Sequence, residues 1–169
     1  VEPDLMCLSK GITGGFLPLG ATASSERVYE SFCIPDRRRT FFHGHSYTAN
    51  PIACAAAVAS LEVFRTEPVF ERIASIELVH RDELPRFANH PAVGETRMIG
   101  TVAAIELRAE DAGYLSSIRP RLSAFYLERG VLLRPLGNIV YILPPYAITP
   151  GELRYVYDVI EESLALVEP

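Results

Sequence analysis

Lys10 stands directly behind the apolar run Leu5-Met6-Cys7-Leu8 and ahead of Gly11-Ile12-Thr13-Gly14-Gly15. An amine at the end of a buried strand is partly stripped of water, which frees it to attack a carbonyl. Glycines beside it let the backbone approach a flat ligand closely. A phosphate-binding P-loop does not fit, because that loop needs its glycines ahead of the lysine at fixed spacing. The same pattern also suits a lysine that is merely exposed at a strand end.

A second segment with chemical potential is Phe42-His43-Gly44-His45-Ser46-Tyr47-Thr48-Ala49-Asn50-Pro51. Small hydroxyls and backbone amides just before a helix make an anion site, since a helix N-terminus presents unpaired N–H groups. His43 and His45 have no third metal ligand nearby, so a loop feature is favoured over a metal pair. The third segment is Leu133-Arg134-Pro135-Leu136-Gly137. A guanidinium at a strand end, held by a following proline, suits a carboxylate, or else a surface ion pair. Tyr141, Tyr146 and the Pro144-Pro145 corner shape an apolar wall or fill the core.

These groups need elements to position them. The apolar run before Lys10 reads as a strand, and residues 19–23 read as a second. Ser24 or Ser25 caps a helix over 26–32. Asn50-Pro51 opens a helix to about Arg65, whose small residues at 53, 55, 56, 57 and 59 suit close packing. Glu67-Pro68 begins another to about Arg86, with Val69, Ile73, Ile76 and Leu84 as apolar positions. Residues 98–107 are strand-like, and 114–129 are helical with Gly130 as the terminating glycine. Strands at 131–134 and 139–143 flank a Leu136-Gly137-Asn138 turn. Thr149-Pro150-Gly151-Glu152 is a capping box, opening a helix with Leu153, Val156, Tyr157, Ile160 and Leu164 as a core stripe.

The 169 residues are 49% hydrophobic and 22% charged, an ordinary globular composition. A net charge of −5 argues against nucleic acid as the main partner. The run Arg37-Arg38-Arg39 reads as a solvated turn. No apolar stretch is long enough to cross a bilayer. Val1-Glu2-Pro3-Asp4 lacks the character of a secretory signal, and the chain reads as a piece beginning inside a protein. The three cysteines are scattered, without a C-x-x-C, which fits the cytoplasm better than a disulfide framework.

Together Leu8-Ser9-Lys10-Gly11-Ile12-Thr13-Gly14-Gly15 and His43 to Pro51, the latter followed by an alanine-rich helix, resemble the cofactor-lysine and phosphate segments of class III aminotransferases. These are pyridoxal-phosphate enzymes of fold-type I. Order and separation match, and the likeness covers essentially the whole chain. It implies an α/β fold: the end of the large cofactor-binding domain over 1–60 and a small α+β domain over 61–169. It also implies pyridoxal 5'-phosphate, held as a Schiff base by Lys10, which later moves a proton between the substrate α-carbon and C4′. Gly44 would touch substrate. His45 and Ser46 would bind the cofactor phosphate, that of the neighbouring subunit in a homodimer. Some relatives carry Pro-Thr at these two positions.

Within the class, Gly130 to Tyr146 is similar to the substrate segment of the biotin-pathway branch. On that likeness Arg134 pairs with the carboxylate of 8-amino-7-oxononanoate, Tyr141 lines the substrate site, and S-adenosylmethionine is the amino donor, lysine being the other donor used by such enzymes. Another class III enzyme acting on ω-amino acids or diamines is an alternative, separable by the region around Tyr141 and Tyr146. A non-catalytic interaction fragment is a further one. In this family the aspartate for the pyridine nitrogen, the aromatic residue stacked on the ring and the first phosphate loop precede the segment that starts here, and Asp4 is too close to Lys10 to replace that aspartate. The chain alone is therefore expected to be inactive.

Overall fold

The computed structural model describes residues 2–109 and 111–167. It divides into two compact units, Val1–Pro68 and Val69–Pro169. The expected boundary at residue 60 falls inside a helix that runs unbroken from Pro51 to Thr66, so the first unit keeps that whole helix.

In the first unit, β1 (Leu5–Leu8) pairs antiparallel with β2 (Ala21–Ser24), Leu5 opposite Ser24 and Leu8 opposite Ala21. Helix α1 (Glu26–Glu30) follows. Ser25 occupies its N-cap position but does not cap it: the hydroxyl donates to Asp4 Oδ1 at 2.9 Å. Arg27 donates to the other oxygen of the same carboxylate at 2.5 Å, tying the start of β1 to α1. Helix α2 (Pro51–Thr66) begins as its sequence predicts, with the Asn50 side chain accepting from the N–H groups of Ile52 and Ala53. Between the strands a 3₁₀ turn, Lys10–Thr13, packs on α2, where the small buried residues Ala53 and Ala57 permit close approach. Thr13 is buried, and its hydroxyl donates to the Leu17 carbonyl at 2.6 Å, closing the loop behind Lys10.

The second unit holds the core. Strands β3 (Val93–Ile99), β4 (Val102–Leu107) and β5 (Ile139–Ile142) form an antiparallel sheet in the order β3-β4-β5. Helices α3 (Val69–Glu83), α4 (Ile118–Glu128) and α5 (Pro150–Ser163) belong to the same unit. Phe87, Ile105, Leu122, Tyr126, Leu153 and Tyr157 are fully buried, and each such apolar side chain contributes about 1.5–3 kcal/mol. The expected stripe on α5 is buried at Leu153, Tyr157, Ile160 and Leu164 and half-buried at Val156. Its capping box, Thr149 with Glu152, is formed in both directions.

Two strand expectations change. Residues 98–107 are not one strand but parts of two, because the chain reverses at Gly100-Thr101. Residues 131–134 form no strand. Val131 N–H is spent on the Tyr126 carbonyl and Gly130 N–H on that of Leu127, the paired bonds that close α4 over Gly130 at φ +71. Pro135 then has no N–H to give. Among the described residues no helix is long and apolar enough to cross a membrane.

Candidate active site

Lys10 is exposed, and so is every residue of β1, so the strand before it is not buried among the described residues. The desolvation expected of Lys10 is therefore not supplied here. Its backbone is unusual instead. Lys10 has φ +52 and Ala49 φ +54, the only described non-glycine residues with positive φ. Such a conformation is uphill for a residue with a Cβ, and its clustering marks functional candidates. Both residues line one cleft of about 1460 Å³ within the first unit, together with Tyr29, His43, His45 and Tyr47. The nearby Cys33 thiol, acting mainly through a side-chain hydrogen bond, raises the Tyr29 phenol above its ordinary range.

The segment before α2 differs from the simple helix-terminus site. The N–H groups of Ile52 and Ala53 are taken by Asn50 Oδ1 at 3.0 and 3.2 Å, that of Cys54 by the Asn50 carbonyl, and Pro51 has none. The free donors lie upstream instead. His45 N–H donates to Thr48 Oγ1 at 3.0 Å, Thr48 N–H to the His45 carbonyl at 3.0 Å, and Tyr47 N–H to His45 Nδ1 at 3.1 Å. Of the N–H groups of residues 45–48, only that of Ser46 has no partner among the described residues, and its hydroxyl has none there either. A Cβ placed on Gly44 would meet nothing within 4 Å beyond its chain neighbours. Phe41, His43, His45 and Tyr47 meet ring to ring at centroid distances of 5.5, 6.4 and 6.2 Å, a ladder readable from the aromatic residues at alternate positions but missed in the sequence. No group of three or more metal-ligating side chains forms among the described residues.

Arg134 and Tyr141 lie in the second unit. Arg134 is exposed and makes no ion pair or hydrogen bond among the described residues, so the surface-pair alternative is not formed. Buried Pro135 follows it, and Leu136 bridges to Ile139 across the turn. Val140 and Ile142 point into the core, so alternation turns half-buried Tyr141 to the opposite face of β5, beside Ala104 of β4. Tyr146 is exposed.

A family model described as aminotransferase class-III matches residues 1–164. The chain belongs to the class III aminotransferases. It is 47% identical over 164 residues to adenosylmethionine-8-amino-7-oxononanoate aminotransferase of Synechococcus elongatus, covering 97% of this chain and 38% of that protein. The crystal structure of the Methanocaldococcus jannaschii protein of that name matches with a TM-score of 0.89 at 34% identity, over 99% of this chain and 40% of its own. An amine transaminase from an uncultivated Pseudomonas species, solved in a PLP-bound form, matches with a TM-score of 0.86 at 30% identity, over 98% and 39%. This class III chain thus spans well under half the length of the relatives it matches.

The cleft of this class III chain suits a flat anion. Lys10 and two histidines line it, and no carboxylate of the described residues does. Asp4 is held by Ser25 and Arg27. Asp36 is held by Arg38 at 2.7 Å, and that contact keeps its carboxyl below the usual range. An amine is thus present in the cleft for an aldehyde-phosphate cofactor, and the free hydroxyl and N–H of Ser46 lie in the adjoining segment, while no described acid lines the cleft for its ring nitrogen.

Proposed function

We propose that this chain is the lysine-bearing C-terminal portion of a cytoplasmic, homodimeric aminotransferase dependent on pyridoxal phosphate. Its reaction is the conversion of 8-amino-7-oxononanoate to 7,8-diaminononanoate, with S-adenosylmethionine as amino donor. The observation that carries the reading is Lys10, held at φ +52 on a cleft that no described carboxylate lines. Pyridoxal phosphate, when bound, supplies a carbonyl for an amine and an electron sink for the substrate carbon. Lys10 brings that amine and then carries the proton at the substrate α-carbon. The hydroxyl and N–H of Ser46 receive phosphate oxygens, in the segment shared by two subunits. Gly44 borders the substrate. Arg134 offers an uncommitted guanidinium to the carboxylate of the keto substrate, and Tyr141 flanks it.

The substrate assignment draws support from the name of the relative at 47% identity. The likeness to an amine transaminase, at 30% identity, favours a second reading in which the acceptor is another ketone or aldehyde. The cytoplasmic assignment rests on three cysteines that are all free.

Lys10→Ala in the intact enzyme tests the reading. The visible absorbance of bound cofactor and nearly all diaminononanoate formation should disappear. A variant that transaminates at a near-normal rate removes Lys10 from the mechanism.

A further inference from the structure

Ser46 owes its free donors to its neighbours. The imidazole of His45 reaches two residues along the chain to take the Tyr47 N–H, the reach that an asparagine side chain uses in the corresponding turn. A ring nitrogen that accepts a bond leaves the ring proton on Nε2, so this turn is closed by neutral His45. Were the acceptor missing, Tyr47 N–H would be a second loose donor, and only the two bonds between His45 and Thr48 would hold the turn. Ala49, next in the chain, already sits in an uphill backbone conformation at φ +54, so the segment needs local bonds to keep its shape.

We propose that His45 is a positioning residue for the cofactor phosphate: by holding Tyr47 N–H, its imidazole closes the 45–48 turn and leaves the hydroxyl and N–H of Ser46 presented for phosphate oxygens. This rests on the reading of Ser46 as a phosphate ligand. His45 thus acts through backbone geometry, and any group that offers an acceptor at the same reach can replace it.

The test uses the intact enzyme freed of cofactor and titrated with pyridoxal phosphate and, separately, with pyridoxal, which lacks the phosphate. Occupancy is read from visible absorbance. His45→Phe keeps a ring without the acceptor, and His45→Asn keeps an acceptor able to reach Tyr47 N–H. The Phe variant should bind pyridoxal phosphate roughly five- to tenfold more weakly, the worth of one neutral hydrogen bond, with pyridoxal affinity unchanged. The Asn variant should match the parent for both ligands. A Phe variant that binds pyridoxal phosphate normally, or that loses both ligands alike, overturns the proposal, as does an Asn variant as weak as the Phe variant. A parent enzyme that takes up no pyridoxal phosphate overturns the functional reading as well.

Discussion

Replacing Gly137 with alanine should destabilise the second unit by about 2–5 kcal/mol. A Cβ there would stand 1.7 Å from the Gly113 carbonyl oxygen, 2.5 Å from its carbon and 2.9 Å from Tyr114 Cα. All three are backbone atoms, so no side-chain rotation relieves the clash. The two segments are also tied together: Asn138 Oδ1 accepts from Gly113 N–H and Asn138 Nδ2 donates to the Leu107 carbonyl, both at 2.8 Å. Moving apart to admit a methyl group would strain or break these bonds. Overpacking of this kind costs about 1–3 kcal/mol. Gly137 also has φ +62, which costs an L-residue about 1–2 kcal/mol more. Gly100 separates the two contributions: its φ is +52, but nothing lies within 4 Å of the Cβ position. Gly100→Ala should therefore lose only the backbone part, about 1–2 kcal/mol. Urea unfolding of the two variants beside the parent measures the difference, and Gly137→Ala should also impair the neighbouring Arg134 site. Equal losses for the two alanines would refute the clash argument.

On the proposed function, Arg134→Ala in the intact enzyme should lower kcat/KM for 8-amino-7-oxononanoate by about 2–4 kcal/mol, roughly 30- to 900-fold, and an equal loss for an analogue lacking the carboxylate would make Arg134 structural. His80 should make stability fall in mild acid. Its ring is fully buried, with Nε2 3.0 Å from the Thr101 carbonyl and Nδ1 2.6 Å from the Tyr157 hydroxyl. The carbonyl can only accept, so Nε2–H donates to it and Nδ1 accepts from Tyr157, a pairing that neutral imidazole alone satisfies. Burial lowers the His80 pKa despite the opposing Thr101 bond. The unfolded chain therefore binds the proton more readily, and this contribution to stability fades as pH drops below about 6.5. Unfolding free energies at pH 8 and pH 5 check this, and a His80→Gln variant with the same pH slope would count against it.

Much of this was legible where the signal is local. Asn50-Pro51 and Thr149-Glu152 announce their helices because a cap needs only a side chain and N–H groups two or three residues away. The class of the chain was legible in Leu8 to Gly15 and His43 to Pro51. The Gly100 reversal was hidden because apolar β-formers continue on both sides of it. The loss of a strand at 131–134 depends on how α4 ends, which competes for the Val131 N–H. The Asn138 tie to Gly113 joins residues 25 apart and leaves no mark in local pattern. The dihedral of Lys10 and the bond from Tyr47 to His45 depend on backbone shape, which residue types alone leave open.

The first unit holds the candidate cleft, and few of its described residues are interior. Among the described residues its buried apolar side chains are Ala53 and Ala57, while Phe16, Phe41 and Phe42 are 86%, 68% and 85% exposed. On the proposed function, the rest of the large domain covers such faces in the intact enzyme, and the cofactor is a stabilising ligand for that whole domain. Ligand at a hundred times its Kd adds about 2.7 kcal/mol to the native state. In a cell short of pyridoxal phosphate the enzyme loses that margin and opens to proteases more often. Vitamin supply would then set how much enzyme survives, as well as how fast each surviving copy turns over.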